Sequence, residues 1–149
     1  MQSDRVIVVD RKDTVLKTID RCSATNNDII RVAQVLIFNN KAEILLQFRS
    51  QKREHYPLHW DLSAGGHVNA EEDYATGASR ELFEEIGIKT KLTFLGKHFI
   101  ELDDGRKHFV TFFKGTYTGK FKIQSEEVST VKFFSKKEIN EMIKKGEKL

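Results

Sequence analysis

Three glutamates, Glu81, Glu84 and Glu85, stand at i, i+3 and i+4 in the run Arg80-Glu81-Leu82-Phe83-Glu84-Glu85. At about 100° per residue they share one helix face, spread over roughly a quarter of a turn. Leu82 and Ile86 lie well away from that face, so the spacing predicts a helix anchored by its apolar side while it presents carboxylates. Like charges this close repel, by a few tenths of a kcal/mol per pair on a bare helix. A divalent cation converts that cost into affinity. Hard oxygen donors suit Mg²⁺ or Mn²⁺, and Mg²⁺ characteristically joins one or two carboxylates to substrate phosphates. Taken alone, such a triplet is more often an ordinary solvated acidic face.

The surroundings add chemistry. Gly65-Gly66 lies shortly before the helix, where bare backbone can approach a ligand or metal, or simply turn tightly from strand to helix. Arg80 can orient a carboxylate or contact phosphate, or form a surface ion pair of little worth.

These residues need a scaffold. Val6–Val9 and Thr14–Ile19 read as two short strands around the polar turn Arg11-Lys12-Asp13, followed by a loop over 21–30. Val32–Phe38, Asn39-Asn40 and Glu43–Phe48 read as a β-hairpin. A polar loop over Gln51–His59 leads to a short strand, Trp60–Ala64, that enters the glycine pair. The carboxylate helix is expected to be capped by Asn69 with Glu72 as reciprocal partner, to show Ala75, Leu82 and Ile86 on its apolar face, and to stop at Gly87. Strand character follows over Leu92–Leu102, Lys107–Thr116 and Ser129–Phe134, with Asp103-Asp104-Gly105-Arg106 as a hairpin turn. Ser135–Lys145 reads as a last helix, capped by Ser135 with Glu138. The order implies an α/β or α+β arrangement, a mixed sheet packed by helices.

The chain's 149 residues suit one domain with a real core, divided into an N-terminal hairpin and loop (1–30) and a core (31–149). A net charge of +3, from 25 basic and 22 acidic residues, gives no ground for nucleic-acid binding. Cys22 is the lone cysteine, which rules out an internal disulfide and points to a reducing compartment; we take it to be inert. The N-terminus carries no signal-peptide pattern, and no apolar run nears the roughly 18 residues of a membrane span. The expectation is a cytoplasmic protein without a membrane partner, its oligomeric state open.

Read together, Gly66, Glu72, Arg80, Glu81, Leu82, Glu84, Glu85, Gly87 and Ile88 fill every fixed position of the Nudix box. The chain therefore resembles the Nudix hydrolases. The resemblance implies a Nudix α/β/α sandwich with a mixed sheet, here preceded by a short N-terminal hairpin. It implies a small-molecule diphosphate substrate and a Mg²⁺ or Mn²⁺ cofactor. By the same resemblance, Gly66 (through its carbonyl), Glu81, Glu84 and Glu85 are metal ligands, Glu81 or Glu84 serves as base, and Arg80 orients a glutamate. Glu72 is structural or metal-linked. Some members place the base on a later loop, for which Glu127 and Glu126 are candidates and Asp103 and Asp104 the alternatives. The implied reaction is attack of water on a diphosphate phosphorus, with metal activating the water and neutralising developing charge.

Residues Arg31–His67 also resemble isopentenyl-diphosphate isomerases, which share the Nudix fold. That family carries a catalytic cysteine where this chain has Gly65, a histidine where it has Ile30, and a degenerate box where this one is intact. Hydrolase is thus the leading reading, isomerase the alternative, and a catalytically inactive Nudix-fold binding module a third. Around the box, Arg31, Arg49 and Arg53 (with Lys52) can hold phosphates, and His67 can touch substrate. Their ordinary reading is solvated surface. Tyr56 and Trp60 can stack on a base, though Trp60 is more naturally core.

Overall fold

The computed structural model describes residues 5–149. Its strands are β1 (Arg5–Val9), β2 (Val15–Asp20), β3 (Ile29–Phe38), β4 (Ile44–Arg49), β5 (Trp60–Asp61), β6 (Ala64–His67), β7 (Thr93–Glu101), β8 (Lys107–Thr116) and β9 (Val128–Phe134). Helix α1 spans Tyr74–Ile86 and α2 spans Lys136–Lys144. Residues 1–4, at the edge of the expected first hairpin, lie outside the described residues.

Strand β3 is the hub of a mixed sheet. It pairs in parallel with β8 from Ile29↔Lys107 to Phe38↔Thr116, and antiparallel with β1 and β6. Strand β7 extends the sheet beyond β8, and the expected N-terminal hairpin is formed by β1 and β2. Alternation along β3 sorts its side chains between two faces. Ala33, Val35 and Ile37 join the main core with Ala78, Leu82 and Ile86 of α1, whereas Ile30 packs with Val6 and Val8. Beneath α2, Met142 packs on Leu46 and Phe134, with Trp60 against their edge. The architecture is the expected mixed sheet with helices packed on it.

The expected β3–β4 hairpin forms only at its turn. Asn39 Oδ1 accepts from the Lys41 and Glu43 N–H groups at 3.0 Å each, and Phe38↔Ile44 is the one strand pair. The strands then splay. Ser63 stands in the opening: its hydroxyl accepts from the Ile37 N–H at 2.8 Å and donates to the Leu45 carbonyl at 2.6 Å. Backbone groups that would otherwise have paired across the hairpin are thereby satisfied. The expected Trp60–Ala64 strand accordingly breaks in two. Strand β5 pairs with β4, and β6 runs along β3, while β4 takes β9 as its other neighbour. The wedge brings Gly65 and Gly66 into the middle of the fold.

Helix α1 starts four residues later than the sequence suggests. Its N-cap is Asp73, whose side chain accepts from the Thr76 N–H at 2.8 Å. Glu72 does reach the Asn69 N–H (2.8 Å), but within a turn that precedes the helix. Ala75, now in the first turn of the helix, is exposed, and Ala78, expected at the edge of the apolar face, joins Leu82 and Ile86 in the core. Gly87 ends the helix as expected, with φ of 73° and its N–H on the Phe83 carbonyl. Leu82 is 1% exposed, and truncating it to Ala would cost about 2–5 kcal/mol. Ser135 and Glu138 form the expected capping box of α2.

Candidate active site

The spacing predicted solvent-facing carboxylates. The structure instead buries two of them: Glu81 and Glu85 are each 1% exposed, as inaccessible as Leu82 between them. The β6 segment covers that side of α1. Glu85 Oε1 accepts from Gln47 Nε2 at 2.9 Å and from the Gly65 N–H at 3.2 Å. Gly66 packs directly on Glu81; a Cβ there would stand 2.6 Å from Oε1. Gln47 Nε2 also donates to the Ser63 carbonyl, so the wedge that opens the sheet also fixes Glu85.

A third carboxylate arrives from a distant segment. The chain between β8 and β9 is stitched to the C-terminus of α1: the Lys122 and Gln124 N–H groups donate to the Ile86 and Glu85 carbonyls at 3.0 and 2.9 Å. Those carbonyls have no partner inside the helix, so the contact is stabilising on both sides. It delivers Glu127 to the site. Oxygens of Glu81, Glu85 and Glu127 all lie within 4.8 Å of one another. Burial pushes the Glu85 carboxyl well above the usual range, and the nearby Glu81 and Glu127 push it further. Burial raises Glu81 as well, against the opposing effects of a hydrogen bond with Glu85 and of the Arg80 charge. Two of the site's carboxylates are thus disfavoured in charged form without a cation. A hard divalent cation fits this donor set: clustered carboxylates, mostly desolvated, beside a glycine backbone.

Arg80 ties the helix to its approach. It donates to Glu72 (2.7 and 2.9 Å), Glu81 (2.8 Å), Glu84 (3.2 Å) and the His67 carbonyl (3.0 Å). Burial opposes its charge, yet Glu72 and Glu81 raise its pKa above the ordinary guanidinium value. Burial pushes the Glu72 carboxyl up, but the hydrogen bonds from Arg80 and the Asn69 N–H, together with the Arg80 charge, hold it below the usual carboxylate range. Glu84 sits beside Arg80, outside the carboxylate trio that Glu127 completes.

The remaining sequence candidates divide. Arg53 stays at the site, with Nη1 3.3 Å from Glu127 Oε2. His67 follows Gly66, and burial lowers its pKa to about 3, aided by the charges of Arg21, His108, Arg106 and His55. Arg49 is engaged elsewhere: it donates to the His55 and Tyr56 carbonyls and to Asp61, holding the 50–59 loop in shape. Arg31 pairs with Asp13 at 2.9 Å and lies over the Tyr74 ring. Trp60 is partly buried against the core, its ring tilted on Phe48 and edge to face with Phe134, 5.0 Å between centroids in each case. Glu126 pairs with Lys52 at 3.1 Å, and Asp104 closes the β7–β8 turn through Arg106. Cys22 is exposed. Sequence reasoning passed over Gln47, which is 2% exposed; its one signal is an amide amid Leu45, Leu46 and Phe48.

The NUDIX domain family matches residues 29–148, leaving the β1–β2 hairpin outside the match. A Nudix hydrolase of Pseudomonas aeruginosa, PA4841, is 33% identical over 84% of this chain and 75% of its own length. An Arabidopsis thaliana chloroplastic isopentenyl-diphosphate Δ-isomerase is 28% identical over 99% of this chain, which spans 60% of that enzyme. The crystal structure of DR0079 from Deinococcus radiodurans superposes with a TM-score of 0.84 at 19% identity, covering 97% of this chain and 91% of that one. Among the described residues, no helix is long and apolar enough to cross a membrane. The chain belongs to the Nudix hydrolase family, whose members act on phosphorus-containing acid anhydrides.

Proposed function

We propose that the chain is a Mg²⁺- or Mn²⁺-dependent pyrophosphohydrolase that acts, in the cytoplasm, on a nucleoside diphosphate linked to a further moiety. The convergence of Glu81, Glu85 and Glu127 within 4.8 Å carries this reading. These three, with the Gly66 carbonyl, would hold the cation. Bound there, the metal polarises phosphate oxygens and lowers the pKa of water. The protein's own part is positioning. Arg80 fixes Glu81 and Glu84 through a fork anchored on Glu72. Gln47 fixes Glu85, and Arg53 places a positive charge beside Glu127, where a phosphate oxygen would meet it. A proton leaving the attacking water passes to a carboxylate, Glu84 or Glu127, and the Glu84→Gln and Glu127→Gln variants separate the two.

The test is a substrate panel assayed with Mg²⁺ and with Mn²⁺, reading phosphate, pyrophosphate and nucleoside monophosphate separately. Folded protein that releases none of them in a metal-dependent way sinks the proposal. Retained metal binding without turnover would then indicate a binding module. The similarity to an isomerase over 99% of this chain, though 60% of that enzyme, favours one further assay, double-bond migration in isopentenyl diphosphate. Gly65 argues against it: a Cβ there would stand 2.1 Å from Gln34 Oε1, so a thiol has no room while Gln34 keeps its place.

A further inference from the structure

Strand β7 closes one end of the sheet. It pairs with β8 alone, and seven of its nine residues are exposed. Three of these are large and apolar: Phe94, Leu95 and Phe99 are 59%, 48% and 37% exposed. A free strand edge is a row of unpaired N–H and C=O groups that templates pairing with another chain, and native proteins blunt it with bulges and lysines. Both devices are present on β7, yet neither blocks it. The bulge falls between Phe94 and Gly96, leaving the register from Gly96 to Glu101 regular. Lys97 Nζ donates to Asp13 Oδ2 at 2.8 Å, so its charge is already compensated.

The backbone of this stretch has a definite orientation. Across the β7–β8 turn, the Leu102 N–H donates to the Arg106 carbonyl at 2.8 Å. Hydrogen-bonded and non-hydrogen-bonded pairs alternate along an antiparallel ladder. Gly96, His98 and Ile100 therefore turn their backbone groups toward β8, and Lys97, Phe99 and Glu101 turn theirs toward the open edge. The side chains of the latter three share one face, where Lys97 reaches Asp13 and the Phe99 ring lies edge to face on Phe109. On the other face, His98 and Ile100 join Leu36 and Phe112 around an open groove of about 600 Å³.

We propose that two copies of this chain associate by antiparallel pairing of β7 with β7 about a two-fold axis at Phe99. That register sets Lys97 opposite Glu101 of the second copy, twice by symmetry, with Phe99 opposite its own copy between them. Centring the axis on Lys97 or Glu101 instead would set like charges opposite each other, which destabilises a strand pair. Centring it on His98 or Ile100 would set one of the two charges opposite Phe99. The Lys97 and Glu101 side chains are 43% and 59% exposed, so both can meet a second copy. Arg11 lies over the Phe99 ring at 5.1 Å and adds to the positive strip that the second copy's Glu101 enters. The three facing pairs exchange two N–H···O bonds each, through the backbone groups that β8 leaves free. A contact this short belongs to the small interfaces, so the dimer forms with a micromolar Kd and dissociates on dilution. The association does not depend on whether the chain hydrolyses a diphosphate.

Two measurements on the full chain test it. Sedimentation equilibrium, run from about 1 µM to about 500 µM, should show a monomer–dimer transition. Glu101→Lys turns both cross-strand ion pairs into like-charge pairs and should weaken association about tenfold or more. Glu101 is exposed, so the variant is expected to fold as the wild type does. Second, Phe99→Cys is made in a Cys22→Ser background and held in oxidising glutathione. Opposed residues of a hydrogen-bonded pair have Cα atoms about 5.5 Å apart, within disulfide reach, so a covalent dimer should form. Phe94→Cys, on the same strand but beyond the paired stretch, should cross-link about tenfold less under the same conditions. A monomer at every concentration overturns the proposal. So does a dimer that Glu101→Lys leaves unchanged, which would point instead to the β2 edge, where Val15 and Leu16 are exposed. Cross-linking at Phe94→Cys as efficient as at Phe99→Cys overturns the register.

Discussion

Replacing Glu85 by Gln should stabilise the metal-free protein while abolishing its response to metal. The Gln side chain keeps the acceptor used by Gln47 Nε2 and the Gly65 N–H, so the packing survives. What disappears is a charge among carboxylate oxygens that lie within 4.8 Å of one another. At an effective dielectric of about 20, two unit charges at that distance repel by roughly 3.5 kcal/mol. Arg80 offsets part of this, and a proton on Glu85 relieves more, leaving a net gain of about 2 kcal/mol at pH 8. For a chain of this size that is about 4–8 °C in Tm. The sign of the pH dependence follows from the direction of the shift. Glu85 has its folded pKa raised, so the folded protein binds more protons than the unfolded chain. Its contribution is fully present below the unfolded carboxylate value, about 4.3, and is lost as pH rises through the folded value. Metal-free wild type should therefore lose stability from pH 5 to pH 8, and Glu85→Gln should lose less. With Mg²⁺ at about 100 times Kd the wild type regains about 2.7 kcal/mol and the variant nothing comparable, so their order reverses. Thermal melts by circular dichroism at both pH values, in EDTA and in Mg²⁺, measure all of this. A variant that melts lower than wild type in EDTA at pH 8, or that is stabilised equally by Mg²⁺, refutes the reasoning.

Three further substitutions separate positioning from packing. Arg80→Lys retains the charge but not the fork that joins Glu72 to Glu81, so Mn²⁺ affinity and activity should fall 10–100-fold; changes under threefold would contradict the role of the fork. Gly66→Ala puts a Cβ 2.6 Å from Glu81 Oε1, and a metal Kd unchanged by that displacement, read by calorimetry, would remove Glu81 from the site. Asp73→Ala should cost about 1 kcal/mol in urea melts by removing the α1 cap, and no loss would return the cap to Asn69.

Local rules made much of this protein legible. The box spacing placed the three glutamates on α1, Gly87 ended the helix because its αL backbone suits glycine, and Ser135 with Glu138 capped α2 as their three-residue spacing requires. Each of these features is decided within one or two turns of chain. The burial of Glu81 and Glu85 is not. Helical geometry fixes the direction in which a side chain leaves the axis, but whether that direction meets water depends on β6, which is placed by pairing with β3. The participation of Glu127 likewise depends on the Lys122 and Gln124 bonds to the end of α1, across more than thirty residues of chain.

The splayed β3–β4 hairpin shows why such features escape a sequence reading. Two β-rich runs around Asn39-Asn40 promise a ladder, and the turn forms as promised. The ladder fails because other strands take the facing edges: β6 lies along β3 at Val32–Val35 and β5 along β4 at Gln47 and Phe48, while β8 and β9 hold the opposite edges. Ser63 makes the competition affordable by binding both Ile37 and Leu45, and nothing in its sequence context distinguishes it from a loop serine. That opening is also what admits the glycine pair to α1 and lets Gln47 reach Glu85. A hairpin paired along its full length would satisfy the same backbone groups, but it would exclude β6 and leave the three carboxylates without the surface that buries and aligns them. The carboxylate site and the broken hairpin are therefore one structural decision, and a substitution that closed the hairpin, such as removal of the Ser63 hydroxyl, would act on the metal site without touching a ligand.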